Sequence, residues 1–133
     1  MAGPVGVVLA GILGGLMDPN VVTACVLDTE TTGLFGRHSF ARIVEVGARV
    51  VYWNASTKTL ERGDSFESLA NPGAEFYRNP EAGYALKVNQ LEPEWIDAAP
   101  PAKVVGASLR AWLIRQGVEV LVAFNNGFDF HGR

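Results

Sequence analysis

The feature that most constrains this chain is an apolar segment that ends in two carboxylates. Residues 21–28, VVTACVLD, are mainly apolar and β-branched at both odd and even positions. This composition predicts a strand buried on both faces at the centre of a sheet. Asp28 closes the segment, and Glu30 follows it before two threonines and a glycine. The chemistry of this chain therefore depends on what two acidic side chains do at the end of a core strand.

Composition limits the classes of protein to which this chain can belong. Its 133 residues, 48% of them hydrophobic, are enough for one domain with a core and too few for two. The formal charge of -3 argues against a protein that binds nucleic acid through a broad basic face, so a bound polyanion would need local help from metal ions. Cys25 is the single cysteine, which makes the chain compatible with a reducing cytoplasm, and its apolar neighbours favour a core position over a nucleophile.

Residues 1–20 are predicted to form an apolar extension that precedes the main domain. Their apolar stretch is shorter than the roughly 18 to 20 residues that span a bilayer. It also lacks the basic leader and clear cleavage site of a signal peptide, so we expect no membrane association. Two interpretations stay open. The segment is an additional strand or helix packed on the domain, or it is an extension that precedes a natural start at Met17.

The rest of the chain predicts a hairpin, a helix and a final strand. Residues 41–54 have strand composition, and the polar turn ASTK leads from them into a second strand of an antiparallel hairpin. Residues 74–93 are irregular and suggest one or two short helical turns. After a Pro-Pro pair, apolar residues recur at helical spacing up to Gly117, which suits the end of one long helix. Residues 118–126, VEVLVAFNN, predict another buried strand.

This order of elements brings acidic residues from distant parts of the chain together. A right-handed crossover through the helix places the first and last strands side by side and parallel. Ligands bind such sheets at the carboxyl ends of the strands. Asp28 and Glu30 share one face of the first strand because they are two residues apart. Asp129 lies just past the last strand, and strands are about 4.8 Å apart, so we expect three carboxylates to converge.

Converging carboxylates indicate a metal site. They repel one another unless a cation neutralises them. Mg²⁺ and Mn²⁺ prefer oxygen ligands, and two such ions about 4 Å apart form the clamp that is used for phosphodiester cleavage. The pattern therefore predicts that Asp28, Glu30 and Asp129 bind Mg²⁺ or Mn²⁺.

Four segments carry a resemblance to a known family: VLDTETTGL, RIVEVGARVV, FESLANPG and LVAFNNGFD. In order and spacing they resemble the DEDD superfamily of 3′–5′ exonucleases, in particular its proofreading-subunit and ribonuclease T-like members. The resemblance runs from about Val21 to Asp129. It implies that residues 21–133 form an α/β domain of the ribonuclease H-like type, with a mixed sheet and central parallel strands.

The resemblance also implies roles for single residues. Asp28 and Glu30 match the metal ligands of the first motif, and Asp129 matches the aspartate of the second. The residues that match substrate-side positions of the two motifs are Thr31, Leu34, Asn125 and Phe128. The implied reaction uses two Mg²⁺ or Mn²⁺ ions to release nucleoside 5′-monophosphates from single-stranded DNA or RNA 3′ ends, and a polymerase or replication partner is implied with it.

The third motif of the family has no counterpart in this sequence. It consists of a histidine or tyrosine followed by a final aspartate, well beyond the second motif, whereas the sequence stops at Arg133. We therefore expect the domain to be incomplete at its C-terminal end, without the general base and the fourth acidic ligand. His131 lies two residues after Asp129, but a solvated histidine is the simpler interpretation.

Three functional hypotheses stay open from the sequence. The chain is a shortened exonuclease domain, a degenerate nuclease fold that acts as a nucleic-acid-binding or protein-interaction module, or a fold completed by a second copy. The last hypothesis arises because a final buried strand would leave an open sheet edge, and open edges promote pairing. We expect either self-association through that edge or an N-terminal segment that covers it.

Overall fold

The computed structural model describes residues 6–9, 18–33 and 42–123. Within these ranges, five strands form one mixed sheet with the order β1-β5-β2-β3-β4. The strands are β1 (Gly6–Leu9), β2 (Val21–Thr31), β3 (Ile43–Asn54), β4 (Thr59–Leu69) and β5 (Val120–Ala123). The helices are α1 (Ala74–Tyr77), α2 (Pro80–Val88), α3 (Pro93–Asp97) and α4 (Ala102–Arg115). The predicted α/β class with a mixed sheet is confirmed.

The central pair of the sheet is the antiparallel pair β2–β3. Its buried residues alternate along each strand and therefore lie on one face; they are Thr23 and Cys25 on β2 and Val44, Val46, Ala48 and Val50 on β3. The side chains of β2 that point to the opposite face are only half-buried; they are Val22, Ala24 and Val26. The prediction that β2 is buried on both faces is thus wrong for the described structure, because the packed helices lie against one face of the sheet.

The predicted hairpin corresponds to β3 and β4, and a polar turn joins the two strands. The Asn54 side chain accepts hydrogen bonds from the backbone N–H groups of Ser56 and Thr57, at 2.9 and 3.1 Å. Lys58 closes the turn with a positive φ of 58°, and its N–H donates to the Asn54 carbonyl. Side-chain capping of this kind explains why Asn54 ends the strand.

A bulge interrupts the hairpin at Gly63 on β4. The register shifts between Arg49 and Val51 on β3, opposite the segment that contains Gly63. The Arg49 guanidinium donates to the Gly63 carbonyl at 3.1 Å. A Cβ at Gly63 would lie only 2.8 Å from the Tyr52 ring, so any larger residue would force this ring or the bulge to move.

The long helix α4 covers the buried face of the sheet. Trp112 is 7% exposed and packs with Cys25 and Val50, and its ring centroid lies 5.7 Å from that of Phe66. The helix ends where predicted, since Gly117 follows it with a φ of 68°. Burial raises the pKa of the Cys25 thiol to about 11, which agrees with its predicted core position.

Three short helices replace the one or two helical turns that were predicted between residues 74 and 93. Helix α2 begins at Pro80, where the Asn79 side chain accepts a hydrogen bond from the Ala82 N–H at 2.8 Å. Its apolar side packs into a second cluster of buried residues, which consists of Val44, Tyr77, Leu86, Leu91 and Ile96. This cluster attaches α1–α3 to the start of β3.

The first and last strands of the described residues are neighbours in the sheet. Strand β5 pairs in parallel with β2, from Ala24–Val120 to Leu27–Ala123, which confirms the predicted crossover through the helix. Strand β1 pairs in antiparallel fashion with the other side of β5. An N-terminal segment therefore covers this edge, one of the two outcomes expected from the sequence, and self-association stays a prediction. None of the helices in the described ranges is long and apolar enough to cross a membrane.

Candidate active site

Asp28 and Glu30 lie at the carboxyl end of β2 and on the same face of the sheet. No register shift separates them, since Asp28 pairs with Gly47 and Glu30 pairs with Glu45 on β3. Asp28 is exposed and Glu30 is half-buried. The face that carries them is the one opposite Cys25 and the core helices. The structure therefore places both predicted ligands together, at the rim that the sequence indicated.

Glu45 adds a third carboxylate that the sequence analysis did not assign. It sits directly opposite Glu30 on β3, so the two side chains share a face. Burial raises the pKa of Glu30 above its ordinary value, and the negative charges of Asp28 and Glu45 raise it further. The acidic residue within RIVEVG was visible in the sequence, but only the register of β2 against β3 shows that it faces Glu30.

A fourth acidic residue lies on the same row of the sheet as Asp28. Gly47 pairs with Asp28 on one side and with Glu67 of β4 on the other. Glu67 is exposed, and among the described residues no atom lies within 4 Å of the position that a Cβ on Gly47 would take. No described side chain therefore fills the space above Gly47, between the two carboxylates. This end of the sheet face is consequently acidic and accessible.

The carboxyl end of β5 reaches this rim as well. The parallel register pairs Ala123 with Leu27, the residue directly before Asp28. Asp129, the third predicted ligand, lies outside the described residues. The predicted substrate-side residues Leu34, Asn125 and Phe128 also lie outside them.

The segment after Glu30 forms a hydrogen-bonded turn. The Thr31 hydroxyl donates to the Gly33 carbonyl at 2.8 Å. Thr32 is 5% exposed, and its hydroxyl oxygen accepts from the Arg42 N–H at 2.9 Å. Thr31 is the last residue of β2, and its contact with a nucleotide stays a prediction. Thr32 was not assigned from the sequence, where it could not be distinguished from an ordinary turn residue.

The donor set at this rim suits a hard cation. Mg²⁺ is typically bound by one or two protein carboxylates while water and substrate phosphate complete its shell. Asp28 and Glu30 supply that number from one strand. Burial raises the pKa of Glu30 most, the charges of Asp28 and Glu45 raise it further, and a cation would relieve the part that is due to those charges. In the described ranges alone, no group of three or more His, Cys, Asp or Glu side chains is arranged to hold a metal ion.

Comparison of the sequence with known families and curated proteins gives no match. No protein-family profile matches the chain, and no curated protein is significantly similar to it.

Comparison of the fold with solved structures gives consistent neighbours. The nuclease domain of 3′hExo, a DEDDh family member bound to rAMP, has a TM-score of 0.60 at 18% identity, over 86% of this chain and 56% of that one. Cell-death related nuclease 4 gives 0.54 at 20%, over 73% and 31%. A 3′-exonuclease in 3′-end specific recognition of a histone mRNA stem-loop gives 0.52 at 18%, over 80% and 46%.

These likenesses establish the architecture. The chain spans between 31% and 56% of the length of these three structures. At identities near 20% the agreement is one of fold and not of activity. The described mixed sheet with its covering helices therefore has the ribonuclease H-like fold that is found in 3′-exonucleases.

Proposed function

We propose that this chain forms part of a metal-dependent 3′–5′ exonuclease domain of the DEDD type. The observation that supports it best is the placement of Asp28 and Glu30 on one face, at the carboxyl end of β2 and beside the end of β5. Acidic residues at this rim belong to a fold that is shared with 3′-exonucleases. Ligands generally bind α/β sheets at the carboxyl ends of their strands, which agrees with this location.

In the proposed site, Asp28, Glu30 and Asp129 hold Mg²⁺ or Mn²⁺. Such ions supply positive charge to the phosphate and lower the pKa of a bound water. Asp28 and Glu30 act as oxygen ligands, and the position of Glu30 between Asp28 and Glu45 favours a bound cation over an empty site. Hydrolysis of the terminal phosphodiester would release a nucleoside 5′-monophosphate.

The proposed substrate is the 3′ end of single-stranded DNA or RNA. Thr31, Leu34, Asn125 and Phe128 would contact or frame the terminal nucleotide. Two of the similar structures support this class of ligand, because one holds rAMP and the other concerns a histone mRNA stem-loop. The chain carries a net charge of -3, so the ions at the rim rather than a basic surface would attract the phosphate.

The cellular setting is also part of the proposal. The single cysteine, fully buried as Cys25, is consistent with a cytoplasmic location. A polymerase or replication partner, a proofreading role and self-association follow from the resemblance or from the sheet edge, and they are proposed on that basis alone.

The experiment measures release of mononucleotides from 3′-labelled single-stranded DNA and RNA in the presence of Mn²⁺. We expect release by the unaltered chain and its loss in Asp28→Asn and Glu30→Gln. Matched controls are Asp64→Asn and Glu61→Gln, which remove exposed carboxylates of β4 away from the rim. Release that persists in both rim variants would contradict the proposal.

A second measurement separates binding from cleavage, because the chain corresponds to only part of each similar structure. Calorimetric titration with Mn²⁺ and with an unlabelled oligonucleotide reports the site without requiring turnover. Binding without cleavage would support the alternative, a degenerate nuclease fold that acts as an interaction module. Activity that rises with protein concentration faster than linearly would indicate a site completed by a second copy.

A further inference from the structure

Thr32 ends the β2–β3 ladder through its side chain. Its N–H donates to the Arg42 carbonyl at 2.9 Å, as in a regular antiparallel pair. The return bond is different, since the Arg42 N–H donates to the Thr32 hydroxyl oxygen at 2.9 Å. In a regular pair that acceptor would be the backbone carbonyl. The Thr32 hydroxyl therefore takes the place of its own carbonyl.

The hydrogen bond to the Thr32 hydroxyl lies immediately next to a bulge in β3, and this bulge separates Glu30 from Thr31. Glu30 pairs with Glu45, whereas Thr31 pairs with Ile43, so Val44 is the extra residue on β3. Val44 is fully buried against the α1–α3 cluster. The bulge is thus held on one side by the packing of Val44 and on the other by the two bonds between Thr32 and Arg42.

The two hydrogen bonds between Thr32 and Arg42, called here the Thr32–Arg42 clamp, are connected to the short helices through the Arg42 side chain. The Arg42 guanidinium lies over the Phe76 ring of α1, 4.5 Å from its centroid. A guanidinium over an aromatic face is an attractive arrangement. Thr32 is 5% exposed, so its bonds to Arg42 are protected from water. The backbone after Glu30 is therefore bonded through Thr32 to Arg42, and the Arg42 side chain in turn contacts α1.

We propose that Thr32 is a positioning residue for Glu30, an inference that rests on the proposed metal-dependent function. By fixing the bulge, its hydroxyl sets the direction of the strand end and hence the orientation of the Glu30 carboxylate and of Thr31. A purely structural hydroxyl would satisfy the Arg42 N–H and affect folding stability alone. A positioning residue also changes how well the rim binds a cation, as residues that orient metal ligands do.

The experiment compares Thr32→Val with Thr32→Ser by calorimetric titration with Mn²⁺, together with thermal unfolding. We expect Thr32→Val to weaken Mn²⁺ binding by about tenfold or more, and Thr32→Ser, which keeps the hydroxyl, to restore it to within about twofold of the unaltered chain. The matched control is Thr23→Val, a buried threonine at the opposite end of the same strand. It should leave Mn²⁺ affinity unchanged even if it lowers the melting temperature.

A metal-independent measurement tests the clamp itself. Amide hydrogen exchange should accelerate at Arg42 in Thr32→Val and stay unchanged at Val50 in the buried core. Mn²⁺ affinity equal to that of the unaltered chain, or unchanged exchange at Arg42, would overturn the positioning role while the proposed function stands. Absence of Mn²⁺ binding by the unaltered chain would overturn the proposed function and the positioning role together.

Discussion

Glu30 of β2 and Glu45 of β3 lie directly opposite each other, so two acidic side chains share one face of the sheet. Like charges in directly opposed positions destabilise a sheet. Burial, then Asp28, then Glu45 raise the pKa of Glu30. A proton or a cation would relieve the repulsion between these carboxylates. The pairing of β2 with β3 therefore favours the binding of a cation at Glu30, as the proposed function requires.

The first prediction concerns the pH dependence of stability in the absence of metal. Because the pKa of Glu30 is raised in the folded state, its stabilising contribution is complete below the ordinary glutamate pKa and is lost as pH rises through the folded-state value. Glu45→Gln should remove part of this loss and raise the free energy of unfolding near pH 7 by roughly 0.2–1 kcal/mol. Urea denaturation at about pH 4 and pH 7 measures the effect.

The matched control for this prediction is Glu67→Gln. Glu67 lies on the same face but pairs with Gly47 rather than with a carboxylate. We expect it to change the free energy of unfolding near pH 7 by less than Glu45→Gln does. Equal gains from the two variants would show that general acidity of this face, and not the Glu30–Glu45 pair, controls stability.

The second prediction is that Mn²⁺ stabilises the folded chain through Asp28 and Glu30. A ligand that binds the folded state alone adds about 2.7 kcal/mol at a concentration one hundred times its dissociation constant. Thermal unfolding with and without Mn²⁺ measures this shift. The increase in melting temperature should disappear in Asp28→Asn and in Glu30→Gln, and persist in Glu61→Gln. An undiminished increase in the rim variants would place the bound ion elsewhere.

The third prediction contrasts two glycines. Gly63→Ala should destabilise the fold by about 1–3 kcal/mol, because the new Cβ would lie 2.8 Å from the Tyr52 ring in the bulge. Gly106→Ala should stabilise it by roughly 0.5–1 kcal/mol, because Gly106 lies within α4 and no atom of the described residues stands within 4 Å of the added Cβ. Chemical denaturation measures both. Destabilisation of equal size in the two variants would contradict the close approach at Gly63.

The fourth prediction concerns Asp97, which joins α3 to α1. Asp97 accepts hydrogen bonds from the Arg78 guanidinium and the Tyr77 hydroxyl. The bonds from Arg78 and then from Tyr77 hold the pKa of Asp97 below its ordinary value. Its contribution to stability is therefore present above the ordinary aspartate pKa and is lost as pH falls through the folded-state value. Asp97→Asn should make the melting temperature less dependent on pH at acidic pH.

Glu94→Gln is the matched control for that prediction. The Glu94 carboxylate lies 3.9 Å from the Arg78 guanidinium, on the same surface. It should leave the acid dependence close to that of the unaltered chain, since exposed ion pairs at this distance contribute little. An acid dependence that flattens equally in both variants would assign the effect to the net charge of this surface rather than to the Asp97 bonds.

Local sequence patterns predicted the β3–β4 hairpin, the long helix α4 and the parallel pairing of β2 with β5. The apolar spacing before Gly117 predicted α4, and the apolar segments on either side of it predicted the parallel pair β2–β5. These features follow from burial of apolar side chains at periods of 3.6 and 2 residues, which the sequence carries directly. The position of Asp28 and Glu30 on one face follows from the same period.

Registers between strands could not be derived from these patterns, because they depend on contacts between residues distant in sequence. Burial has the same limit. The outer face of β2 is only half-buried, because burial depends on which face of the sheet the helices cover. The pairing of β1 with β5 is another case, because the N-terminal segment alone was equally consistent with a strand or a helix.

The sequence by itself determined that Asp28 and Glu30 end an apolar strand and share one of its faces, because composition and alternation are local properties of the chain. Only the tertiary structure decided that Glu45 faces Glu30 and that the Thr32 hydroxyl bonds to Arg42. The bond to Arg42 follows a one-residue bulge at Val44, whereas the Glu30–Glu45 pair keeps the unbroken register that begins at Val21–Asn54. A shift of one residue in register moves every following side chain to the other face of the sheet, and no pattern within a single strand records such a shift.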